Sequence, residues 1–180
     1  RRPQQKGRQV SVVDATEHLL LQGDRRTAFL GHASERYPEF FDRYRGYAAA
    51  LQQAGIGVDP AWQADAVSNE QDGYDAMLAL FGRGVDCDAV FAASDLIAIG
   101  AMRAIQERGL AIPEQIAVAG FDNIPMANFV SPALTTVLPF LTYNDPRRME
   151  AMVAFFEPSV DFEAYERDRQ SPVVLQLGCF

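Results

Sequence analysis

Three short apolar runs in this sequence stop on side chains that carry charge or donate protons. "TAFLG" (27–31) leads to His32, Ser34 and Glu35; "DAVFAAS" (88–94) ends at Ser94 and meets Asp95; "IAVAG" (116–120) runs through Phe121 into Asp122 and Asn123. Arg43 and Arg45 stand near the start of the helical segment that follows the first run. A carboxylate, an amide, a hydroxyl and a guanidinium around one cleft suit a polyhydroxylated or heterocyclic ligand. Aspartate accepts from hydroxyls or ring N–H groups, and arginine donates in a fixed fork. Each residue also has a plainer reading: Asp122 solvates a loop, Ser94 or Asp95 caps a helix, and Arg43 lies on a solvated helix face. Spacing alone leaves both readings open.

Signatures of catalysis are absent. The chain lacks a Gly-x-Gly-x-x-Gly, a Gly-x-x-x-x-Gly-Lys-[Ser/Thr] and a Gly-x-Ser-x-Gly pattern. Its two histidines, His18 and His32, leave little for general-base chemistry. Cys87 and Cys179 are far apart, with no Cys-x-x-Cys or Cys/His grouping, so a structural zinc site is not expected and both thiols read as reduced. No catalytic residue, cofactor or metal is therefore assigned. Trp62, after the turn "VDPAW", reads as a loop anchor, and His18 as a surface or partly packed side chain.

The elements that must position these groups alternate. "ATEHLLLQG" (15–23) reads as a helix end with Ala15, Leu19 and Leu20 on one face and Gly23 closing it. A helix is predicted over 40–56, where Phe40, Tyr44, Tyr47, Ala48 and Leu51 recur at three- and four-residue spacing, and another over 72–84 with Tyr74, Met77, Leu78 and Phe81 inward. A further helix spans 96–109, and strands fall at 27–31, 88–94 and 116–120. Strands alternating with helices of this length imply βαβ units and a parallel sheet, whose ligands bind beyond the carboxyl ends of the strands. After Val137 the pattern changes: 138–148 contains two prolines and a turn, 149–156 a short helix, 160–170 a solvated charged segment, and 172–178 a final strand.

At 180 residues, 48% hydrophobic and with a net charge of −8, the chain fits one domain or two small lobes. Its acidity argues against holding nucleic acid by itself, since duplex binding rests on neutralising phosphates. Positive charge comes from one lysine, Lys6, against fifteen arginines. No apolar run reaches the roughly 18–20 residues needed to span a bilayer, and the absence of a signal-peptide pattern fits a cytoplasmic protein.

The residues 88–137, "DAVFAASDLIAIGAMRAIQERGLAIPEQIAVAGFDNIPMANFVSPALTTV", resemble the effector-binding core of LacI/GalR-type transcriptional regulators. "ATEHLLLQGDRRTAFLG" (15–31) and "RYRGYAAALQQAGI" (43–56) match in order and spacing. The resemblance implies a periplasmic-binding-protein-like fold of two doubly wound lobes, with mainly the C-terminal lobe and part of the other in this chain. It implies ligand contacts from Asp122 of the Gly-Phe-Asp motif, from Arg43 three residues before the glycine of "RYRGY", and from Ser94. Sugar-binding relatives often carry asparagine at the last position, and Ala66, Val67 and Ser68 occupy the region where a stacking aromatic is usual.

The organisation that follows is a linker or truncated start over 1–14, an effector-binding lobe over 15–137, a divergent crossover toward the second lobe over 138–171, and a returning strand over 172–180. The implied function is sensing of a small effector by a homodimer, with apolar side chains near "LIAIGAMRAI" as the dimer face or as ordinary core. DNA would be bound only through a helix-turn-helix headpiece outside this sequence. A transport-type solute-binding protein and a sensor fused to a signalling enzyme are the alternatives.

Overall fold

The computed structural model of the chain describes residues 12–23, 26–67 and 69–137. Along them run α1 (Val12–Leu21), β1 (Thr27–Leu30), α2 (Pro38–Gln53), β2 (Gln63–Ala64), α3 (Glu70–Gly82), β3 (Ala89–Ala92), α4 (Asp95–Glu107), β4 (Ala117–Phe121) and β5 (Thr135–Val137), with 3-10 turns at Pro60–Trp62 and Pro125–Asn128. All pairings are parallel and the strands lie in the order β2-β1-β3-β4-β5. The doubly wound parallel α/β sheet is thus present, with two strands, β2 and β5, that periodicity did not predict. The expectations for 138–148, 149–156, 160–170 and 172–178 lie outside the described residues. No helix among the described residues is long and apolar enough to cross a membrane.

Each strand is apolar because both of its faces are covered. On β1 and β3, Ala28, Leu30, Val90 and Ala92 join the core under α3 and α4. Phe29, Ala89 and Phe91 point the other way, into a second core with Val12, Ala15 and Leu19 of α1 and Tyr47 and Leu51 of α2. Phe29 and Phe91 stack at 6.1 Å between centroids, and the Tyr47 ring lies 5.3 Å from Phe29. Burial of each such ring contributes about 2–3 kcal/mol. The Tyr47 hydroxyl stays satisfied by donating to the Thr27 carbonyl at 2.7 Å, and burial holds its proton well above the ordinary phenol range. Helix α1 begins at Val12, within the stretch read as a linker, because Val12 is a core residue and its carbonyl accepts from the buried Thr16 hydroxyl at 2.9 Å.

The inner face of α3 differs from the sequence reading. Gly73, Ala76, Met77 and Leu80 are buried, whereas Tyr74, Leu78 and Phe81 are only partly covered. The cause is close approach of backbones. A Cβ at Gly100 would lie 1.8 Å from the Glu70 carbonyl oxygen, and one at Gly73 would lie 2.1 Å from that of Ile97. Two helices this near leave no space for rings between them, so the aromatics sit at the rim. There Arg103 lies over Tyr74 at 5.1 Å and Arg108 over Phe81 at 4.3 Å, and the Tyr74 hydroxyl donates to Glu107 at 2.6 Å. Gly100→Ala is expected to destabilise the fold by about 2–3 kcal/mol through overpacking. Urea unfolding should show this as a lower midpoint at unchanged slope.

Candidate functional site

The chain runs from β1 outward to β2, then returns past β1 to β3 and continues to β4 and β5. Between β1 and β3 the direction of winding reverses, so α2 and α4 leave on opposite faces and a crevice opens beyond the strand ends. Arg43 reaches it from α2. Its Nη1 donates to the Ala93 carbonyl at the end of β3, and its Nη2 lies 3.3 Å from Asp122 Oδ1 beyond β4. The guanidinium also rests on the Phe121 ring at 4.3 Å and near that of Phe40 at 5.4 Å. It sits there because Pro38 starts the helix and the same face carries Phe40, Tyr47 and Leu51 into the core. Arg45, two residues on, points away and pairs with Asp42 at 3.5 Å in solvent.

Asp122 and Asn123 form the turn after β4 with φ of 112° and 52°. Such values cost roughly 1–3 kcal/mol for a residue with a side chain and persist only where the surroundings enforce them. The surroundings here are hydrogen bonds: Asp122 N donates to the Val137 carbonyl at 3.0 Å, Asn123 N to Thr136 Oγ1 at 3.2 Å, and Ile124 N to Asp95 Oδ2 at 2.8 Å. The Asp122 carboxylate, 36% exposed against 16% for Arg43, is thus presented at the crevice rather than buried or free. Partial burial raises its pKa from the ordinary carboxylate value, Arg43 pulls it back down, and Glu39 adds to the rise.

Ser94 is the N-cap of α4, its Oγ accepting from Ile97 N at 3.3 Å, and it is buried. The capping reading therefore describes the position of its oxygen, and the hydroxyl proton is left to donate. The structure brings Arg43 and Asp122 into contact, with Ser94 next in sequence to the carbonyl that anchors Arg43. Of the groups after β1, Ser34 Oγ accepts from Arg36 N at 3.2 Å within its own turn. His32 packs on Tyr37 at 4.5 Å, its Nδ1 3.7 Å from Asp65 of the neighbouring strand end. Trp62 is partly buried against the core beside β2, which matches its reading as an anchor.

Asp95 is the residue that sequence reasoning assigned too small a part. It is wholly buried, and its carboxylate is not spent on capping. Oδ1 accepts from Thr136 Oγ1 at 2.5 Å while Oδ2 takes the Ile124 amide. Burial pushes its pKa up to about 6, with the Thr136 and Ile124 bonds opposing and the Asp122 charge adding to the rise. The sequence signal was a lone carboxylate directly before the apolar run "LIAIGAM", together with a threonine inside the apolar end of "LTTV".

A five-stranded parallel sheet in this order, with a charged pair at its switch point, is a doubly wound architecture of the kind that binds ligands beyond its strand ends. Consistent with that, residues 16–142 match the family described as periplasmic binding protein-like domain, and the chain belongs to that family. The relatives and structural neighbours that it matches are transcriptional regulators. It is 40% identical over 123 residues to the HTH-type transcriptional regulator GalS of Salmonella typhimurium, covering 68% of this chain and 36% of GalS. It is 34% identical over 123 residues to the HTH-type transcriptional repressor PurR of Histophilus somni, covering 68% of this chain and 37% of PurR. Among solved structures, a sugar-binding LacI-family transcriptional regulator from Escherichia coli complexed with phosphate superposes with a TM-score of 0.67 at 36% identity, over 70% of this chain and 45% of that one. The chain thus spans little more than a third of the length of these curated relatives. A second match, to the E3 ubiquitin-protein ligase UBR4 TPR-like domain, covers residues 124–180. Of these, 124–137 form a 3-10 turn and a strand of the parallel sheet, not a pair of packed helices.

The buried Asp95 charge gives a pH signature. Its proton is held more tightly in the folded state, with a pKa of about 6, than at the ordinary value of 3.8. Its contribution to stability is therefore complete below about pH 3.8 and is lost as the pH rises through about 6. Between about pH 4 and 7, the stability of the wild type relative to Asp95→Asn is expected to fall by about 2–3 kcal/mol. Urea titrations of both proteins at several pH values check this, and a pH-independent difference would refute it.

Proposed function

We propose that this chain is the ligand-sensing lobe of a LacI-family transcriptional regulator. A small, sugar-like effector binds in the crevice at Asp122, Arg43 and Ser94, and DNA binding is exerted by a helix-turn-helix headpiece elsewhere in the parent protein. The role is binding rather than catalysis, and the setting is the cytoplasm. The observation that carries this reading is Asp122: a non-glycine residue held at φ 112° with its carboxylate against an anchored arginine, at a switch-point crevice. Strain maintained at a strand end is the mark of a group kept for contact rather than for stability. Asp122 would accept from ligand hydroxyls, Arg43 would donate from the guanidinium edge not engaged by Ala93, and Ser94 would donate its hydroxyl proton. The sugar-binding regulator among the structural neighbours supports the ligand class. Effector binding changes DNA affinity to the extent that it favours one arrangement of the parent protein, and one or two such hydrogen bonds supply about 1–3 kcal/mol of coupling.

Dimerisation is part of the same proposal. Ile97, Ala98, Ala101, Ala104 and Ile105 of "LIAIGAMRAI" are core, and only Leu96 and Ile99 of its large apolar residues remain partly exposed. Segment 124–131 is tied to α4 at both ends, by Ile124 N to Asp95 and by Gln106 Nε2 to the Ser131 carbonyl at 2.5 Å. That segment presents Met126 and Phe129, 53% and 82% exposed, beside α4. Apolar side chains grouped in this way suit burial against a second copy.

Two measurements test the proposal. In thermal melts of the chain with sugars, sugar phosphates, nucleobases and small organic acids, a ligand at about 100 times its Kd adds about 2.7 kcal/mol and moves the midpoint by several degrees. The shift is expected with a sugar and is expected to vanish in Asp122→Gly, a substitution that removes the carboxylate while suiting the positive φ. A shift retained in Asp122→Gly would take Asp122 out of the site. In size-exclusion chromatography with light scattering, Phe129→Glu is expected to convert a dimer to a monomer, and an unchanged mass would refute this face.

A further inference from the structure

The turn that presents Asp122 does not hold itself in place. It contains two successive non-glycine residues at positive φ, and beyond the bond from Asp122 N to the Val137 carbonyl two further bonds fix it, from Asn123 and Ile124, immediately after the carboxylate of interest. Both lead to one buried group. Ile124 N donates to Asp95 Oδ2 at 2.8 Å; Asn123 N donates to Thr136 Oγ1 at 3.2 Å, which donates in turn to Asp95 Oδ1 at 2.5 Å. The space for this carboxylate beneath the turn is made by Gly120, where a Cβ would lie 2.3 Å from Asp95 Oδ1.

We infer that Asp95 is a positioning residue for the ligand site: its buried carboxylate pins the Asp122–Ile124 turn to β5 and so aims Asp122 at Arg43. Its consequence for effector binding rests on the reading of Asp122 as a ligand contact, whereas the positioning itself does not. The groups that face Asp95 are few. From the turn after β4 comes the Asp122 carboxylate, which opposes its ionisation, and from β5 the Thr136 hydroxyl. Arg43 and Glu39 of α2 act on Asp122. Helix α3 meets α4 backbone to backbone at Gly73 and Gly100. A proton on Asp95 Oδ1 would reverse the bond to Thr136, whose hydroxyl can accept as well as donate, and one on Oδ2 would displace the Ile124 amide; either change alters the bonding around the turn. Because burial lifts its pKa to about 6, this change falls where the protein can be observed folded.

The test needs no ligand. Amide and arginine side-chain NMR spectra of the full 180-residue chain are recorded from about pH 5 to 8 for the wild type, Asp95→Asn, Thr136→Val and Asp122→Asn. The Asn123 and Ile124 amides are expected to share one transition with a midpoint near the Asp95 value of about 6. It should persist in Asp122→Asn and vanish in Asp95→Asn. Asp95→Asn and Thr136→Val should both shift the Asp122 amide and the Arg43 Nε–H, while amides of β1 and α3 stay in place. A transition that survives in Asp95→Asn and is lost in Asp122→Asn would assign the proton to Asp122 and overturn the inference. So would an Asp122 amide and an Arg43 Nε–H that keep their wild-type shifts in both Asp95→Asn and Thr136→Val while the β1 and α3 amides show both variants folded. Failure to find an effector in the melt screen leaves this spectrum unchanged, so the two proposals fail separately.

Discussion

A parallel sheet covered on both faces excludes polar side chains from the length of its strands and confines them to the ends. In this chain β1 and β3 are four residues each, and every one of them is buried. Alanine, valine, leucine and phenylalanine fill the two cores on either side, and the helices that cover them leave on opposite faces where the winding reverses. The crevice is therefore a by-product of topology, and the polar groups around it follow the strand ends, Asp122 partly exposed and Ser94 buried. Arg43, Ser94 and Asp122 come from three different stretches of sequence, yet each is there because a covered element has just ended or because a helix face turns toward the strand ends.

Thr27 and Thr136 are buried within strands against that rule, and Asp95, buried at the start of α4, joins Thr136 in an informative polar cluster. A buried carboxylate opposes folding unless it is fully bonded, and here both oxygens are taken. The network joins the start of α4, the turn after β4 and the middle of β5, three places that no continuous element connects. Main-chain hydrogen bonding reaches only as far as Asp122 N, which donates to the Val137 carbonyl, because the rest of the turn has left the sheet. The polar cluster thus substitutes for secondary structure at the point where regular structure stops and the turn carrying Asp122 begins.

Much of this was legible in the sequence, for reasons that can be named. Short continuous apolar runs ending in glycine or polar residues marked β1, β3 and β4, and three- and four-residue spacing marked the helices; Gly23, Gly55 and Gly109 close them at positive φ. Arg43 and Asp122, which the family resemblance implied as ligand contacts, lie against each other. What was not legible depended on distance along the chain. Strand β2 is two residues whose partners are in β1, and β5 is three residues paired with β4; neither is long enough to carry a period. The inner face of α3 was misjudged because Gly73 and Gly100 set an approach that only the paired helices reveal. Asp95 read as a cap because its true partners lie 29 and 41 residues away.

The anchor of Arg43 is a main-chain carbonyl, that of Ala93. A carbonyl belongs to every amino acid, so no substitution at position 93 that preserves β3 removes it. That part of the guanidinium's support is therefore indifferent to side-chain identity, and among the described residues its counter-charge comes from Asp122 on the far turn. Evolution can then redraw the chemistry of the crevice wall while retaining a fixed cationic reference point. A scaffold of this kind acquires new specificities by changing residues that contribute little to its folding, leaving the apolar core as inheritance.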